Sequence, residues 1–345
     1  MRIYKYMDFI NQNIAPKNTK SITVFNGNGK RVGKIGLQNL AFPSNEEKLY
    51  SFGAVSDVHL QSETALEDFQ RALIFFHNTE KVDFTCVCGD LTNKGTDAQL
   101  TEYKNAVGSY PVYEVTGNHD TYTYGADIEQ RIEAYTGNPL YYSFSKENDV
   151  FIMVGVINEG SHFTNAELQW LYETLEENRN KRCFVFQHIF PGKTTELTCG
   201  NAYGIYKNNC WSRWGEYAPY HLAFEDLMKH YKNVVFFHGH SHLEFALQSK
   251  DCQYANYDGS NGYRSVHIPS LSIVRSGDST GVNSRVDIAS GSQGYVVDVY
   301  SKGIHLRGRD FAKSEFLPIA SYWIDTTLQT IPANTFTDTT GIIAT

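Results

Sequence analysis

The chain is poor in cysteine and has no long apolar run. Six cysteines in 345 residues are too few for a disulfide scaffold. Cys86 and Cys88 share a face of one apolar stretch and Cys183 opens another, so these read as core packing. Cys199, Cys210 and Cys252 lie in polar stretches, where a 199–210 pairing stays open. No stretch reaches the roughly 20 apolar residues of a transmembrane helix, and Met1 to Asn11 contains no signal-peptide apolar region. The expectation is a cytoplasmic protein with no membrane partner. A basic run is also lacking, and the formal net charge is -8. That speaks against a surface built to grip a nucleic-acid backbone, although a bound metal pair would add positive charge locally.

Aromatics, in contrast, are plentiful: 23 Tyr, 21 Phe and 4 Trp, enough for a sizeable core. Ser21–Asn26 and Arg31–Leu40 are β-like runs around Asn26-Gly27-Asn28-Gly29, a hairpin turn signal. Residues 1–46 therefore read as a small N-terminal β extension. From Leu49 the pattern alternates. Tyr50–Val58 reads as a strand ending in Asp57-Val58-His59. Glu63–Thr79 reads as a helix, with apolar Ala65, Leu66, Phe69, Ala72, Leu73 and Phe76 at three- and four-residue steps. Val82–Cys88 ends in Gly89-Asp90, Thr96 and Gln99 form a capping box, and Pro111–Val115 ends in Gly117-Asn118-His119-Asp120. Such βα alternation predicts a largely parallel central sheet, with ligands bound beyond the carboxyl ends of its strands.

The second half repeats the theme. Tyr141–Phe144 and Val150–Ile157 read as paired strands, and a second capping box, Thr164 with Glu167, opens a helix through Leu175. Arg182–Gln187 is a strand ending in His188. Residues 192–220 form a long loop rich in Gly, Asn, Tyr and Trp, which is more often functional than not. A helix over His221–Tyr231 and a strand over Asn233–Phe237 lead into His238-Gly239-His240-Ser241-His242. On an extended chain these alternate histidines share a face. Three imidazoles at the end of a buried strand each need a partner or a metal. Beyond them Ser265–Val274, Gly294–Tyr300 and Gly303–Arg307 are β-like, and from about Lys313 a strand precedes a Thr-rich tail. The expected division is 1–46, 47–312 and 313–345.

Collected, the strand ends carry Asp57, His59, Asp90, Asn118, His119, Asp120, His188, His240 and His242. Mixed nitrogen and oxygen donors suit Mn, Fe or Zn better than Mg or Ca. A carboxylate can bridge two metals, and two metals about 3.5–4 Å apart can clamp a phosphate for in-line attack.

In these blocks, Asp-x-His, Gly-Asp, Gly-Asn-His-Asp, a lone His and Gly-His-x-His in that order, the chain resembles the calcineurin-like metallophosphoesterase superfamily. The resemblance covers roughly residues 48–310. It implies an α/β fold, a four-layer α-β-β-α sandwich of two mixed sheets. It implies two metal ions (Mn, Fe or Zn), the first on Asp57, His59 and His242, the second on Asn118, His188 and His240, with Asp90 bridging. A metal-bound hydroxide would attack the ester, His119 would serve as general acid or stabilise charge, and Asp120 would orient His119. His238 departs from the family, which has an apolar residue there; core or outer-layer hydrogen bonding is expected of it. His77, His162, His221, His230, His267 and His305 read as surface or satisfied residues.

Thr116 and Asn93-Lys94-Gly95 stand where Ser/Thr protein phosphatases carry Arg and Asp-Arg-Gly, and Leu91 stands where a purple acid phosphatase carries Tyr. The reading is a phosphodiesterase-like member acting on a small, nucleotide-like phosphoester; alternatives are a phosphomonoesterase and a non-catalytic scaffold of a larger assembly. Tyr203, Tyr206, Trp211 and Trp214 could line the pocket or merely pack the loop. Arg275 and Arg285 could meet a phosphate or stay solvated.

Overall fold

Successive residues of the central strands go to different cores. In Asp149–Val154, Val150, Ile152 and Val154 face one apolar layer while Phe151 and Met153 face another. The period of two is therefore hidden in composition, because both faces are buried. The computed structural model describes residues 21–25, 31–36, 46–61, 63–157, 163–189, 218–245, 255–259, 262–277, 285–287 and 291–345. Among these, two large sheets face each other, one of six strands and one of five.

In the first sheet β3 (Lys48–Val55), β4 (Phe84–Cys88) and β5 (Val112–Val115) run parallel. Beyond β3 come β13 (Gln293–Tyr300), β14 (Gly303–Asp310) and the edge strand β15 (Glu315–Asp325), each antiparallel to the strand before it, which gives the order β15-β14-β13-β3-β4-β5. In the second sheet β6 (Tyr141–Lys146) and β7 (Asp149–Val154) form a hairpin, and β8 (Cys183–Phe186), β9 (Val234–His238) and β10 (Arg264–His267) continue in parallel. The expected pair of mixed sheets is thus present. The hairpin of β1 (Ser21–Phe25) and β2 (Arg31–Gly36) forms a separate small sheet, and β11 (Arg275–Gly277) pairs with β12 (Arg285–Asp287).

Phe52, Phe84, Phe151, Phe184, Phe186 and Phe237 fill the space between the two large sheets. Outside the first sheet pack α1 (Glu63–Ile74), α2 (Asp97–Val107) and α3 (Ile128–Thr136). Outside the second pack α4 (Asn165–Glu177) and α5 (Ala218–His230). The result is the expected four-layer α-β-β-α order. Beyond Ile74 the helix widens into a π turn over Phe75–Glu80, stopped by left-handed Lys81. The Thr164 capping box is complete. The Thr96 box is half formed: Thr96 Oγ1 accepts from the Gln99 N–H, but the Gln99 side chain turns to the Lys94 N–H.

After β15 the tail lies over α4 and α5. Ile331, Phe336 and Ile343 are buried in that layer, and the Asp338 carboxylate accepts from the N–H groups of Thr340, Ile342 and Ile343. Cys86, Cys88 and Cys183 are buried free thiols. No helix of the described residues is long and apolar enough to cross a membrane.

Candidate metal centre

The site forms where the carboxyl ends of β3, β4 and β5 face those of β8 and β9. The segments after β3 and β4 are zipped by backbone bonds, Asp57 N–H to Gly89 O at 3.0 Å and His59 N–H to Asp90 O at 2.9 Å. On the other sheet Gly239 N–H donates to His188 O at 2.9 Å. Two glycines are required by close approach. A side chain on Gly117 would run into the Asp90 carboxylate, and one on Gly239 into Ser56 Oγ and the Asp57 carboxylate.

Asp57, His59, Asp90, His240 and His242 all have positive φ, between 49° and 72°. Each such residue costs about 1–3 kcal/mol, so the surrounding structure enforces the conformation. This corrects the extended-chain picture of the three histidines. The strand ends at His238, and left-handed turns, not strand alternation, deliver His240 and His242 to the site.

Ligand-capable atoms converge in two sets, Asp57, His59, Asp90 and His242 in one, Asp90, His188 and His240 in the other; within each they lie within 4.8 Å of one another. Asp90 belongs to both. His242 Nε2 is 2.9 Å from Asp57 Oδ1 and 3.0 Å from His59 Nε2. Asp90 Oδ2 is 3.4 Å from His59 Nε2 and 3.2 Å from His188 Nε2. Two imidazoles have their outer nitrogens fixed: Nδ1 of His188 meets Cys88 O at 2.7 Å and Nδ1 of His242 meets Ile273 O at 2.9 Å. In the neutral form each therefore carries its proton on Nδ1 and turns the Nε2 lone pair inward. Among the described residues, Asp57 Oδ1, Asp90 Oδ2, Asn118 Oδ1 and His188 Nε2 are buried and meet no hydrogen-bond partner. Buried acceptors aimed at one another are costly unless a cation lies among them, so these residues fit a pair of metal ions.

The electrostatics agree. Burial pushes the Asp57 carboxyl up, yet the imidazoles of His242 and His188 outweigh it and hold the group well below the usual carboxylate range. Asp90 is likewise lowered, against its burial, chiefly by His188. Burial pulls His188 down, but the charges of Asp90 and Asp57 win and raise it to about 9. The carboxylates demand positive charge beside them.

His119 borders this centre. Its backbone N–H donates to Asp90 Oδ1 at 2.9 Å, and its ring stands perpendicular to that of His59, centroids 4.6 Å apart. The expectation that Asp120 orients His119 is not met. The Asp120 carboxylate is occupied by the N–H groups of Leu91, Thr92 and Gly117 and by Thr92 Oγ1, at 2.8–3.1 Å. It staples the β4 loop to the β5 loop, while the Asn93 carbonyl, 3.0 Å from His119 Nδ1, orients the imidazole. Burial and the Asp90 charge push the Asp120 carboxyl up to about 6 despite those bonds.

His238 belongs to neither ligand set; its ring stacks on Phe236 at 5.2 Å and lies 5.3 Å from His267. His267 is closer to the chemistry than a merely satisfied residue. Its Nε2 meets Ser241 Oγ at 2.7 Å, on the residue between His240 and His242. His77, His230 and His305 meet the hydroxyls of Thr85, Thr335 and Ser321, and His221 is buried. Arg275 is tied to the site through its backbone: its N–H donates to His242 O at 2.8 Å, and its carbonyl accepts from Glu244 N–H at 2.9 Å. Burial pushes the His242 imidazole down to about 4, and the Arg275 charge adds to the push. Tyr203, Tyr206, Trp211, Trp214, His162, Cys199, Cys210, Cys252 and the Arg285 side chain lie outside the described residues. Tyr122, which the motifs did not single out, stands at the rim: its ring is 4.5 Å from that of His119 and its hydroxyl accepts from Asn118 Nδ2 at 3.1 Å.

The family model described as calcineurin-like phosphoesterase matches residues 50–244. No curated protein matches the chain. Among solved structures it is similar to a purple acid phosphatase from yellow lupin (Lupinus luteus) seeds, with a TM-score of 0.54 and 13% identity over 82% of this chain. It spans only 55% of that protein's length. It is also similar to GAP50, described as the anchor in the inner membrane complex of Plasmodium, with a TM-score of 0.51 and 13% identity, covering 82% of this chain and 90% of that one.

Proposed function

The chain belongs to the calcineurin-like phosphoesterase family, whose members are metal-dependent phosphoester hydrolases, and on that premise we propose that it is a dinuclear hydrolase of small, nucleotide-like phosphodiesters. The observation that carries this reading is Asp90, shared by two converging sets of donor atoms.

In this reading Asp57, His59 and His242 hold the first ion, Asn118, His188 and His240 the second, and Asp90 serves both. Mn, Fe or Zn suits such donors. When bound, the ions supply charge for the phosphoryl oxygens and make a water acidic enough to act as nucleophile near neutral pH. His119 has Nδ1 committed to the Asn93 carbonyl, which leaves Nε2 to hand a proton to the leaving oxygen or to meet its charge. Asp120 keeps the loops of Asp90 and Asn118 in register. Arg275, whose backbone pairs with the His242 loop, is the candidate to meet a phosphoryl oxygen. The small-substrate reading is supported by the absence of a basic run and by the exposed Tyr122 ring beside His119.

The test is hydrolysis of an aryl phosphodiester and the matching monoester, with chelator and with added Mn. Diester turnover that chelator abolishes and Mn restores supports the proposal. Turnover of the monoester alone replaces it with a phosphomonoesterase. No turnover of either by protein loaded with metal points to a scaffold that keeps its ions without catalysis.

A further inference from the structure

Tyr122 is 44% exposed, yet both ends of its side chain are engaged with the centre. Asn118 and Tyr122 both have right-handed helical φ and ψ at the two ends of a tight turn over His119–Thr121. Residues four apart on a helical turn share a face, so the phenol comes to the Asn118 amide and the ring to His119. The amide has two unlike ends. Oδ1 can donate a lone pair to a cation, whereas the Nδ2 group carries only hydrogens and repels one. Asn118 is only 7% exposed, so whichever end turns away from the ion needs a protein partner. Among the described residues Oδ1 meets no hydrogen-bond partner, and Nδ2 donates to the Tyr122 hydroxyl.

We propose that Tyr122 is a positioning residue that fixes the Asn118 amide with Oδ1 turned to the second metal ion. Its hydroxyl gives Nδ2 a partner on the side away from the ion, which leaves Oδ1 free to face it. Its ring holds the same turn against His119. The inference rests on the dinuclear reading with Asn118 as a ligand.

The test is titration of Mn into chelator-treated full-length protein, read by calorimetry and by the electron paramagnetic resonance of bound Mn, for wild type, Tyr122→Phe and Asn118→Ala. Tyr122→Phe keeps the ring and removes only the hydroxyl. It should weaken one of two ions by about tenfold, the size usual for partners of metal ligands, and leave the other within twofold. Asn118→Ala should weaken the same ion at least as much. Wild-type affinities in Tyr122→Phe, with one ion lost in Asn118→Ala, would overturn the role of Tyr122 alone. Wild-type affinities in both variants would remove Asn118 from the ligand set, and the inference with it.

Discussion

Asp90 Oδ2 faces His188 Nε2 across 3.2 Å, and His188 Nδ1 is already committed to the Cys88 carbonyl. With its proton on Nδ1, His188 presents a lone pair to a carboxylate oxygen. Two acceptors at that distance repel unless a proton or a metal ion sits between them. Replacing the carboxylate with an amide weakens that demand in both ligand sets, since Asp90 belongs to each. Asp90→Asn should therefore lose both ions and activity together. Elemental analysis of the purified variant checks this; two ions retained would rule out a shared ligand.

His119 should be dispensable for metal and necessary for turnover. His119→Ala is expected to keep wild-type metal content while kcat falls by about 10²–10⁴, the usual contribution of a positioned acid or base. Its imidazole is half-buried and held by a backbone carbonyl, so the fold does not depend on it. Steady-state kinetics on the aryl diester, with metal measured in parallel, separates this from loss of ions.

Asp120 should behave as a structural staple. Its two oxygens take four donors from Leu91, Thr92 and Gly117. Asp120→Asn puts an NH2 group against one or more of those N–H groups, a loss of about 1–3 kcal/mol. Thermal unfolding should show the loss, with the pH dependence of the remaining activity unchanged. An altered pH profile at unchanged stability would restore to Asp120 the task of orienting His119.

Glu114 supplies a pH test that involves none of the proposed ligands. It is buried beside Tyr103, and Asn138 Nδ2 donates to its Oε1 at 2.8 Å. Burial raises its carboxyl from 4.5 to about 7, against the pull of those hydrogen bonds. The folded protein thus binds the proton more tightly than the unfolded chain, and stability falls as pH rises between those two values. The effect is on the order of 3 kcal/mol, at 1.36 kcal/mol per unit. Glu114→Gln cannot ionise. Denaturant unfolding should show its advantage over wild type growing from pH 4.5 to pH 8; an equal difference at both pH values would contradict the buried acid.

The sheets and the side chains that converge at the candidate centre were legible because apolar runs end abruptly in carboxylates, imidazoles and Asn118, and such ends mark where strands stop. The geometry that brings the ligands together was not. His238, His240 and His242 look alike on an extended chain, and only the left-handed turns at the latter two separate ligands from core. All but one of the partners of Asp120, and the carbonyl that holds His119 Nδ1, come from the β4 loop, more than twenty residues upstream. Arg275 meets His242 through a backbone pairing that no local pattern encodes. Tyr122 was within reach, since four residues from Asn118 is a helical neighbour, but only once the turn at His119 is known.

Metal content measured on the purified protein, with hydrolysis of the aryl phosphodiester followed as ions are removed and returned, tests the central claim most directly. A dinuclear hydrolase should carry about two ions per chain, lose activity as they are stripped and regain it as the second returns. Full turnover by metal-free protein, or by protein saturating at a single ion, would contradict it.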